Sequence, residues 1–275
     1  MHYGKEWGRW KEMKNIVKNN SIKETLQIAV STQNLVTDDE VGNLIKKMNI
    51  NSNYLIVNQT QNKNICIENN NVITKFEKGL SKSRNVAIEE AESDIILLAD
   101  DDVIYNENYE EIILEAYKKY KKADVICFYV ESKNEKRKTK RMFTGRVGFI
   151  KAMKIVSFEI SFRKKSIMEN EIKFDERFGA GTELNRGEEQ IFLYEALRKG
   201  LKIIFVNKKI AEVEQNESSW FSQYDEKFFE IQGKIFKRLS KRFYLILIMQ
   251  YAIRKYPLYK ENISFFKALK SMIKK

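Results

Sequence analysis

The sequence predicts an α/β fold in which a mostly parallel central sheet is flanked by helices. Short apolar runs typical of buried strands alternate with segments whose apolar residues recur at helical spacing. Such alternation indicates a largely parallel sheet covered on both faces. The length of 275 residues suits one α/β domain with a small extension.

The elements of the first half follow in regular order. Strands are predicted at residues 26–31, 54–57, 72–76, 94–99 and 124–130, and helices at 39–48, 81–92 and 108–121. Gly79 interrupts the chain before the second helix, and Ser81 can cap that helix. We therefore expect three strand–helix units before residue 124.

The second half is less regular and ends in a basic segment. It reads as a solvated charged loop over 131–141, a strand over 155–162 and a glycine-interrupted loop over 174–186. A helix over 187–199 and a last strand over 201–206 follow. After Trp220 the pattern is helical and basic. We predict a lead-in over 1–23, a main domain over 24–220 and a basic helical C-terminal extension over 221–275.

The positive charge is concentrated at the C-terminal end. The net charge is +12, and from Lys227 onward 13 Lys and Arg residues stand against two acids. Such asymmetry predicts contact with a polyanion. Cationic residues interleave with aromatic and aliphatic ones over 240–275, which suits a membrane interface. A helix packed on the main domain with a solvated basic face explains the pattern equally well, whereas no nucleic-acid module is recognisable.

The cysteines and apolar runs bear on location. Cys66 and Cys127 lie far apart in apolar runs, so we predict buried free thiols. No signal-peptide core is visible near the N-terminus. The longest apolar run, 243–253, is about half the roughly 20 residues that cross a bilayer. We expect a cytoplasmic protein, with the inner face of the cell membrane as its peripheral site.

Three aspartates follow a predicted buried strand. Asp100, Asp101 and Asp102 stand where ligands bind in open α/β sheets, beyond the carboxyl end of a strand. Three adjacent carboxylates repel one another unless a cation neutralises them, and oxygen ligands favour Mg²⁺ or Mn²⁺ bound to substrate phosphates. An ordinary turn is the alternative, because Asp is common in turns. The neighbouring motifs decide between the two.

Two segments resemble the family 2 glycosyltransferases, which have the GT-A fold. Residues 79–105 read GLSKSRNVAIEEAESDIILLADDDVIY. They are similar to the family's donor-binding half, with its Gly-Leu-Ser turn, helix-initial Arg-Asn and D-x-D motif. Residues 174–207 read FDERFGAGTELNRGEEQIFLYEALRKGLKIIFVN and resemble the acceptor-side half, with a glycine loop before an acidic pair. The resemblance covers roughly 24–220 and implies a GT-A-like, Rossmann-like sheet.

The resemblance also implies roles for particular residues. Asp100 and Asp102 would be the D-x-D carboxylates that meet the ribose and the metal, with Asp101 between them. Arg84 would position the diphosphate, with Lys82 nearby. The other candidates for binding the nucleotide sugar end the first two strands: Ser31, Thr32, Asn34, Asn58 and Gln59.

The acidic pair would supply the general base of the reaction. Glu189 stands where the family most often has Asp and is the first candidate, and Glu188 is the second. Without the resemblance, both residues could simply be stabilised by the dipole at the start of a helix, by about 0.3–1 kcal/mol.

The resemblance implies an inverting, metal-dependent transfer of one sugar from a nucleoside-diphosphate sugar to a hydroxyl of a glycan or lipid-linked acceptor. The metal would be Mn²⁺ or Mg²⁺, and the setting bacterial surface polysaccharide, such as capsule or lipopolysaccharide. The Q-x-x-R-W motif of processive synthases is absent, which favours single addition. The histidine that some members carry after the last strand is also missing, since the only histidine is His2.

Two other functions compete with this interpretation. A nucleotidyltransferase that makes nucleotide sugars also needs carboxylate-held metal. Its glycine-rich basic loop after the first strand is missing, because the chain reads STQNLVTDD there. A noncatalytic protein that binds membranes or polyanions through the basic C-terminal segment is the second alternative.

Overall fold

One sheet of nine strands forms the centre of the part described by the computed structural model, residues 24–133, 143–214 and 223–274. The strands are β1 (Leu26–Gln33), β2 (Asn53–Gln59), β3 (Val72–Lys75), β4 (Ile95–Asp100), β5 (Val103–Tyr105), β6 (Val125–Ser132), β7 (Gly145–Arg146), β8 (Ile160–Arg163) and β9 (Ile203–Val213). Their order across the sheet is β3-β2-β1-β4-β8-β6-β9-β5, and β7 pairs with β9.

Helices connect the strands and follow them at the C-terminal end. They are α1 (Asp38–Lys47), α2 (Leu80–Glu90), α3 (Tyr109–Lys119), α4 (Phe149–Ala152), α5 (Lys164–Glu169), α6 (Glu188–Arg198), α7 (Glu226–Leu239), α8 (Tyr244–Tyr259) and α9 (Phe265–Ile273). The predicted α/β architecture is present, and the predicted basic C-terminal extension contains α7, α8 and α9.

The parallel half of the sheet brings polar strand ends together. Strands β3, β2, β1 and β4 are mutually parallel, and β6 is parallel to β9. The register sets Ser31 beside both Val57 and Asp100. Because carboxyl ends of parallel strands share one edge, the polar residues that end β1, β2 and β4 lie along that edge.

Residues of the central strands alternate between two apolar cores. Ile28 and Val30 of β1 face one core, which also contains Tyr109 and Tyr117 of α3. Ala29, between them, faces the other core. This alternation is the two-residue period of a strand buried on both faces, and it explains the continuous apolar runs in the sequence.

The helices α7 and α9 are part of the second core. Phe229, Ile235 and Phe236 of α7 are almost fully buried in the cluster that contains Phe192 of α6. Gly233 lets α9 approach closely, because an added Cβ would lie 1.9 Å from the carbonyl oxygen of Met272. The extension therefore packs on the main domain.

Several predicted elements differ from the structure. The predicted strand 155–162 is a 3-10 helix over Ser157–Glu159 followed by β8, and the predicted last strand continues to Val213. Strand β6 includes the first two residues of the predicted charged loop, of which residues 134–141 lie outside the described part. The predicted lead-in, 1–23, and the boundary at 220/221 lie outside it as well, so the domain bounds stay a prediction.

The cysteine prediction was half right. Both thiols are free, and Cys127 is buried as expected, but Cys66 is exposed. The prediction for Cys66 was wrong because its apolar neighbours belong to an irregular connection rather than to a strand, since Cys66 makes only an isolated bridge to Thr37. In the described ranges, no helix has the length and apolar character that a membrane crossing needs.

Candidate active site

The aspartate triplet lies in the turn between β4 and β5. Asp100 is the last residue of β4, and Val103 begins β5, which pairs antiparallel with β9 at Val213. The N–H of Glu214 donates to the carbonyl oxygen of Asp102 at 3.2 Å. The turn is therefore fixed between a parallel and an antiparallel strand pair at the carboxyl edge of the sheet.

Two of the three carboxylates have protein partners. The hydroxyl of Thr32 donates to Oδ2 of Asp101 at 2.7 Å. Arg84 donates to Oδ1 of Asp100 at 3.0 Å, and the hydroxyl of Ser157 donates to Oδ2 at 3.4 Å. The triplet is thus oriented by residues of β1, α2 and the 3-10 helix.

The carboxylate of Asp102 is different. Burial first, and then the charges of Asp100 and Asp101, raise its pKa to about 6. Within the described ranges, no ion pair includes Asp102, and no three or more His, Cys, Asp or Glu side chains form a preformed metal cluster. Lys47, whose ammonium donates to the carbonyl oxygen of Asp101 at 3.4 Å, lowers this pKa only in part, so the turn keeps an excess of negative charge.

Arg84 joins the triplet to the acidic pair. Its side chain is 1% exposed and donates to Asp100 from one terminal nitrogen and to Glu188 from the other, each at 3.0 Å. Burial opposes the guanidinium charge, but Asp100 and Glu188 outweigh it, so the pKa of Arg84 is raised. The ring of Phe174 lies 5.5 Å from the guanidinium carbon. Both terminal nitrogens of Arg84 therefore already bond carboxylates, and its predicted contact with a diphosphate stays a prediction.

The acidic pair begins α6, as predicted. Gly187 is the N-cap with φ of 90°, a left-handed conformation that glycine adopts without strain. Glu188 is buried, and its Oε2 has no hydrogen-bond partner among the described residues. Glu189 is partly exposed. Burial, and next the charge of Glu188, raise the pKa of Glu189 well above its usual value.

Two glycine-containing loops meet beside these acids. The hydroxyl of Ser81 donates to the carbonyl oxygen of Phe178 at 2.6 Å, and the N–H of Leu80 donates to that of Ala180 at 2.9 Å. A Cβ on Gly179 would lie 3.2 Å from the carboxyl carbon of Glu188. The turn before α2 and the loop before α6, which the sequence placed in separate halves of the site, therefore form one surface.

The remaining predicted nucleotide-binding residues have mixed environments. Ser31 accepts a hydrogen bond from Ser83 at 2.8 Å, and Asn34, with φ of 62°, accepts one from Thr60 at 3.1 Å. Lys82 is a surface cation that pairs with Glu77 at 3.0 Å.

The amide side chains of β2 point into the protein. Asn58 is fully buried. Its side-chain oxygen accepts from the N–H of Leu35, and its side-chain nitrogen donates to the carbonyl oxygen of Leu35. Gln59 donates to the carbonyl oxygen of Gly79 at 3.1 Å. Both amides therefore hold the loops around the site, and the base contact expected of them stays a prediction.

The structure adds residues that the sequence did not indicate. Ser157 reaches Asp100, Phe174 lies under Arg84, and Ser83 bonds Ser31. Ser157, in the short 3-10 helix, and Phe174, in an irregular segment, lie more than 50 residues from the motif they support, so no local pattern marks them. Ser83 alone had a signal, because it directly precedes Arg84 in the motif.

A family comparison bears on this arrangement. Residues 64–182 match the model of glycosyl transferase family 2. The matched segment contains Arg84 and the aspartate triplet and ends before the acidic pair. The match, which covers less than half of the chain, shows that this segment is similar to that family. No curated protein matches the sequence.

Solved structures share the fold. The crystal structure of S. aureus TarS 1-349 in complex with UDP-GlcNAc aligns with a TM-score of 0.58 and 16% identity, over 86% of this chain and 74% of that one. The mannosyltransferase PcManGT from Pyrobaculum calidifontis, in complex with GDP-Man and Mn²⁺, aligns with a TM-score of 0.53 and 12% identity, over 99% of this chain and 81% of that one. The predicted GT-A-like fold is confirmed.

Proposed function

We propose that this protein transfers a single sugar from a nucleoside-diphosphate sugar to a hydroxyl of a glycan or lipid-linked acceptor, with inversion at the anomeric carbon. The setting is the synthesis of a bacterial cell-surface polysaccharide, with the C-terminal helices at the membrane. The observation that carries the proposal is Arg84, whose two 3.0 Å ion pairs link the aspartate triplet to the acidic pair. The nucleotide sugars bound by TarS and PcManGT support the donor class.

The aspartate turn fits a divalent cation, Mn²⁺ or Mg²⁺. Asp102 offers a carboxylate that forms no ion pair among the described residues, and a bound metal would relieve the neighbouring negative charges that raise its pKa. Asp100 would be the second ligand, although Arg84 and Ser157 already bond its two oxygens. When bound, the cation would stabilise the negative charge that develops on the leaving diphosphate.

Glu189 is the proposed general base. As the acceptor oxygen bonds to the anomeric carbon, the bond from that carbon to the phosphate oxygen breaks and its electron pair leaves with the diphosphate. The acceptor proton goes to the Glu189 carboxylate. Its raised pKa suits it to this task, because a base is most effective with a pKa near the working pH. Glu188, held by Arg84, orients the pair.

Donor turnover with and without Mn²⁺ tests the proposal. We would measure nucleoside diphosphate released from UDP-sugars and GDP-sugars by the wild-type protein, by Asp102→Asn and by Asp39→Asn. Asp39 is an exposed residue of α1 and provides the matched control. We expect Mn²⁺-stimulated release from the wild type and the control, and its loss in Asp102→Asn.

The same preparation tests the rival enzyme. A nucleotidyltransferase would instead exchange pyrophosphate with a nucleoside triphosphate in the presence of a sugar phosphate. That exchange, or the absence of release from every donor, would contradict the proposed transfer.

A further inference from the structure

An open groove of about 940 Å³ lies between the glycine loop before α6 and the C-terminal helices. Phe178 and Leu184 line it on the loop side, and Arg198, at the end of α6, contributes from that helix. Because an α-helix rises 1.5 Å per residue, Arg198 lies about 15 Å along α6 from Glu188. The end of the groove at Arg198 is therefore remote from the acidic pair, whereas Phe178 on the loop side directly precedes Gly179, which lies beside Glu188.

The lining is strongly cationic. Seven of its residues are Lys or Arg, and two carboxylates near them form ion pairs with part of this set. Asp175 bonds Arg177 at 2.6 Å and Arg238 at 2.9 Å. Glu195 lies 3.4 Å from Arg198 and 3.6 Å from Arg238. Two negative charges thus leave most of the positive charge of the groove uncompensated.

Three of the cations are available to a ligand. Lys234, Lys241 and Arg242 are exposed, and none of the ion pairs among the described residues includes them. Uncompensated cations in one concave space repel one another unless an anion enters. Phosphate groups suit such a space, because Arg and Lys bind them with charge-assisted hydrogen bonds.

An exposed apolar helix face adjoins the groove. Directly after Arg242, Phe243 is 52% exposed, and helix α8 follows. Five of its large apolar residues project from one side at helical spacing. They are exposed by 41–64%: Leu245, Ile246, Met249, Ile253 and Tyr256. An apolar face beside a basic groove matches the two layers of an anionic membrane surface, acyl chains below phosphate headgroups.

We propose that this basic groove and the apolar face of α8 form a binding site for anionic phospholipid. The groove takes the phosphate headgroups, and the face of α8 enters the interfacial layer of the bilayer. The site would keep the acidic pair close to the membrane surface, and it does not depend on which sugar is transferred.

Vesicle co-sedimentation of the full chain tests the site. We would compare phosphatidylcholine vesicles with vesicles that also contain phosphatidylglycerol. We expect the wild type to bind only the second kind, and Lys241→Ala/Arg242→Ala to lose roughly thirtyfold in affinity, from about 1 kcal/mol per basic residue at the surface. Ile246→Asn/Ile253→Asn should also weaken binding. Because this change removes apolar contact and no charge, its effect should differ from that of added salt, which screens only the charges.

A matched control separates the groove from general charge. Lys121 and Lys122 are exposed cations that line another basic cavity, away from the C-terminal helices. Lys121→Ala/Lys122→Ala should bind vesicles as the wild type does. The proposal would be overturned if Lys241→Ala/Arg242→Ala and Lys121→Ala/Lys122→Ala lost the same affinity for vesicles, or if the wild type did not bind them. The proposal would also be overturned if pyrophosphate displaced the vesicles while Ile246→Asn/Ile253→Asn had no effect. The ligand would then be a soluble phosphate compound. Donor turnover without vesicles reports separately on the active site.

Discussion

Arg84 is the residue on which the site depends most. Its α2 position places it between the end of β4 and the start of α6, with both terminal nitrogens bonded to carboxylates. The family resemblance marked Arg84 and the acidic pair in the sequence, and the aspartate triplet was also marked by its place after a buried strand. It did not indicate that they touch, because Arg84 and Glu188 are 104 residues apart. Pairing across such a distance is set by tertiary packing.

Glu189→Gln should abolish transfer while leaving donor binding intact. An amide cannot accept the acceptor proton, so we expect a loss of turnover of about 10²- to 10⁴-fold. Initial rates with a working acceptor and donor titration by thermal shift measure the two quantities. Glu183→Gln, an exposed change in the preceding loop, is the control. Near-normal turnover in Glu189→Gln would remove this residue from the role of base.

Glu159 gives a test of pH dependence away from the acidic pair. Burial raises its pKa to about 8, although the N–H of Val156 donates to its Oε2 at 3.1 Å. The folded protein therefore keeps a proton that the unfolded chain loses near pH 4.5, so stability should fall as pH rises from about 4.5 to 8. For this residue the slope is at most roughly 1.4 kcal/mol per pH unit.

Urea unfolding across that pH range measures the effect. Glu159→Gln should flatten the profile, whereas Glu111→Gln, an exposed change on α3, should leave it unaltered. A Glu159→Gln profile as steep as that of the wild type would show that another group is responsible.

At the scale of elements, prediction succeeded where the chain is regular. Strands β1 to β4 and β6 lie within about two residues of their predicted positions, because residues buried on both faces produce uninterrupted apolar runs. The short strands β5 and β7 and the 3-10 helix were missed, since two or three residues carry no measurable period. Two of these missed elements flank the aspartate turn: β5 follows it directly, and Ser157 of the 3-10 helix bonds Asp100.

Two glycines in helices should respond oppositely to alanine. A Cβ at position 233 would lie 1.9 Å from a backbone oxygen of α9, whereas nothing lies within 4 Å of one at position 42 in α1. We expect Gly233→Ala to destabilise the fold by about 1–3 kcal/mol through overpacking. Gly42→Ala should stabilise it by about 0.5–1 kcal/mol, from helix propensity. Denaturant unfolding compares them, and equal effects would contradict the close approach of α9 to α7.

The whole molecule joins its basic C-terminal helices to the sheet through a shared core. Composition located the charge, but it did not indicate how these helices divide their roles. Helix α7 contributes Phe229 and Phe236 to the main core, while α8 exposes a row of apolar side chains. Composition alone could not tell which helix is buried in the core and which exposes its apolar side chains, because both α7 and α8 mix basic and apolar residues.

The shared core predicts one cooperative unit. Amide hydrogens of Ile235 and Phe236 in α7 should exchange with free energies close to those of Leu97 and Leu98 in β4, because all four residues are buried in the two cores that cover one sheet. Native-state hydrogen exchange measures this. A markedly lower free energy for the α7 amides would mean that the C-terminal helices open independently of the sheet.

A single guanidinium serves the carboxylates of both halves of the site. Neither half can therefore be redesigned alone: replacing the turn after β4 removes one of the two carboxylates that pair with Arg84, and replacing the start of α6 removes the other. A chimaera that imports the donor half of a relative with a different residue at position 84 would leave the buried Glu188 without its cation. The aspartate turn, Arg84 and the start of α6 therefore behave as one electrostatic unit.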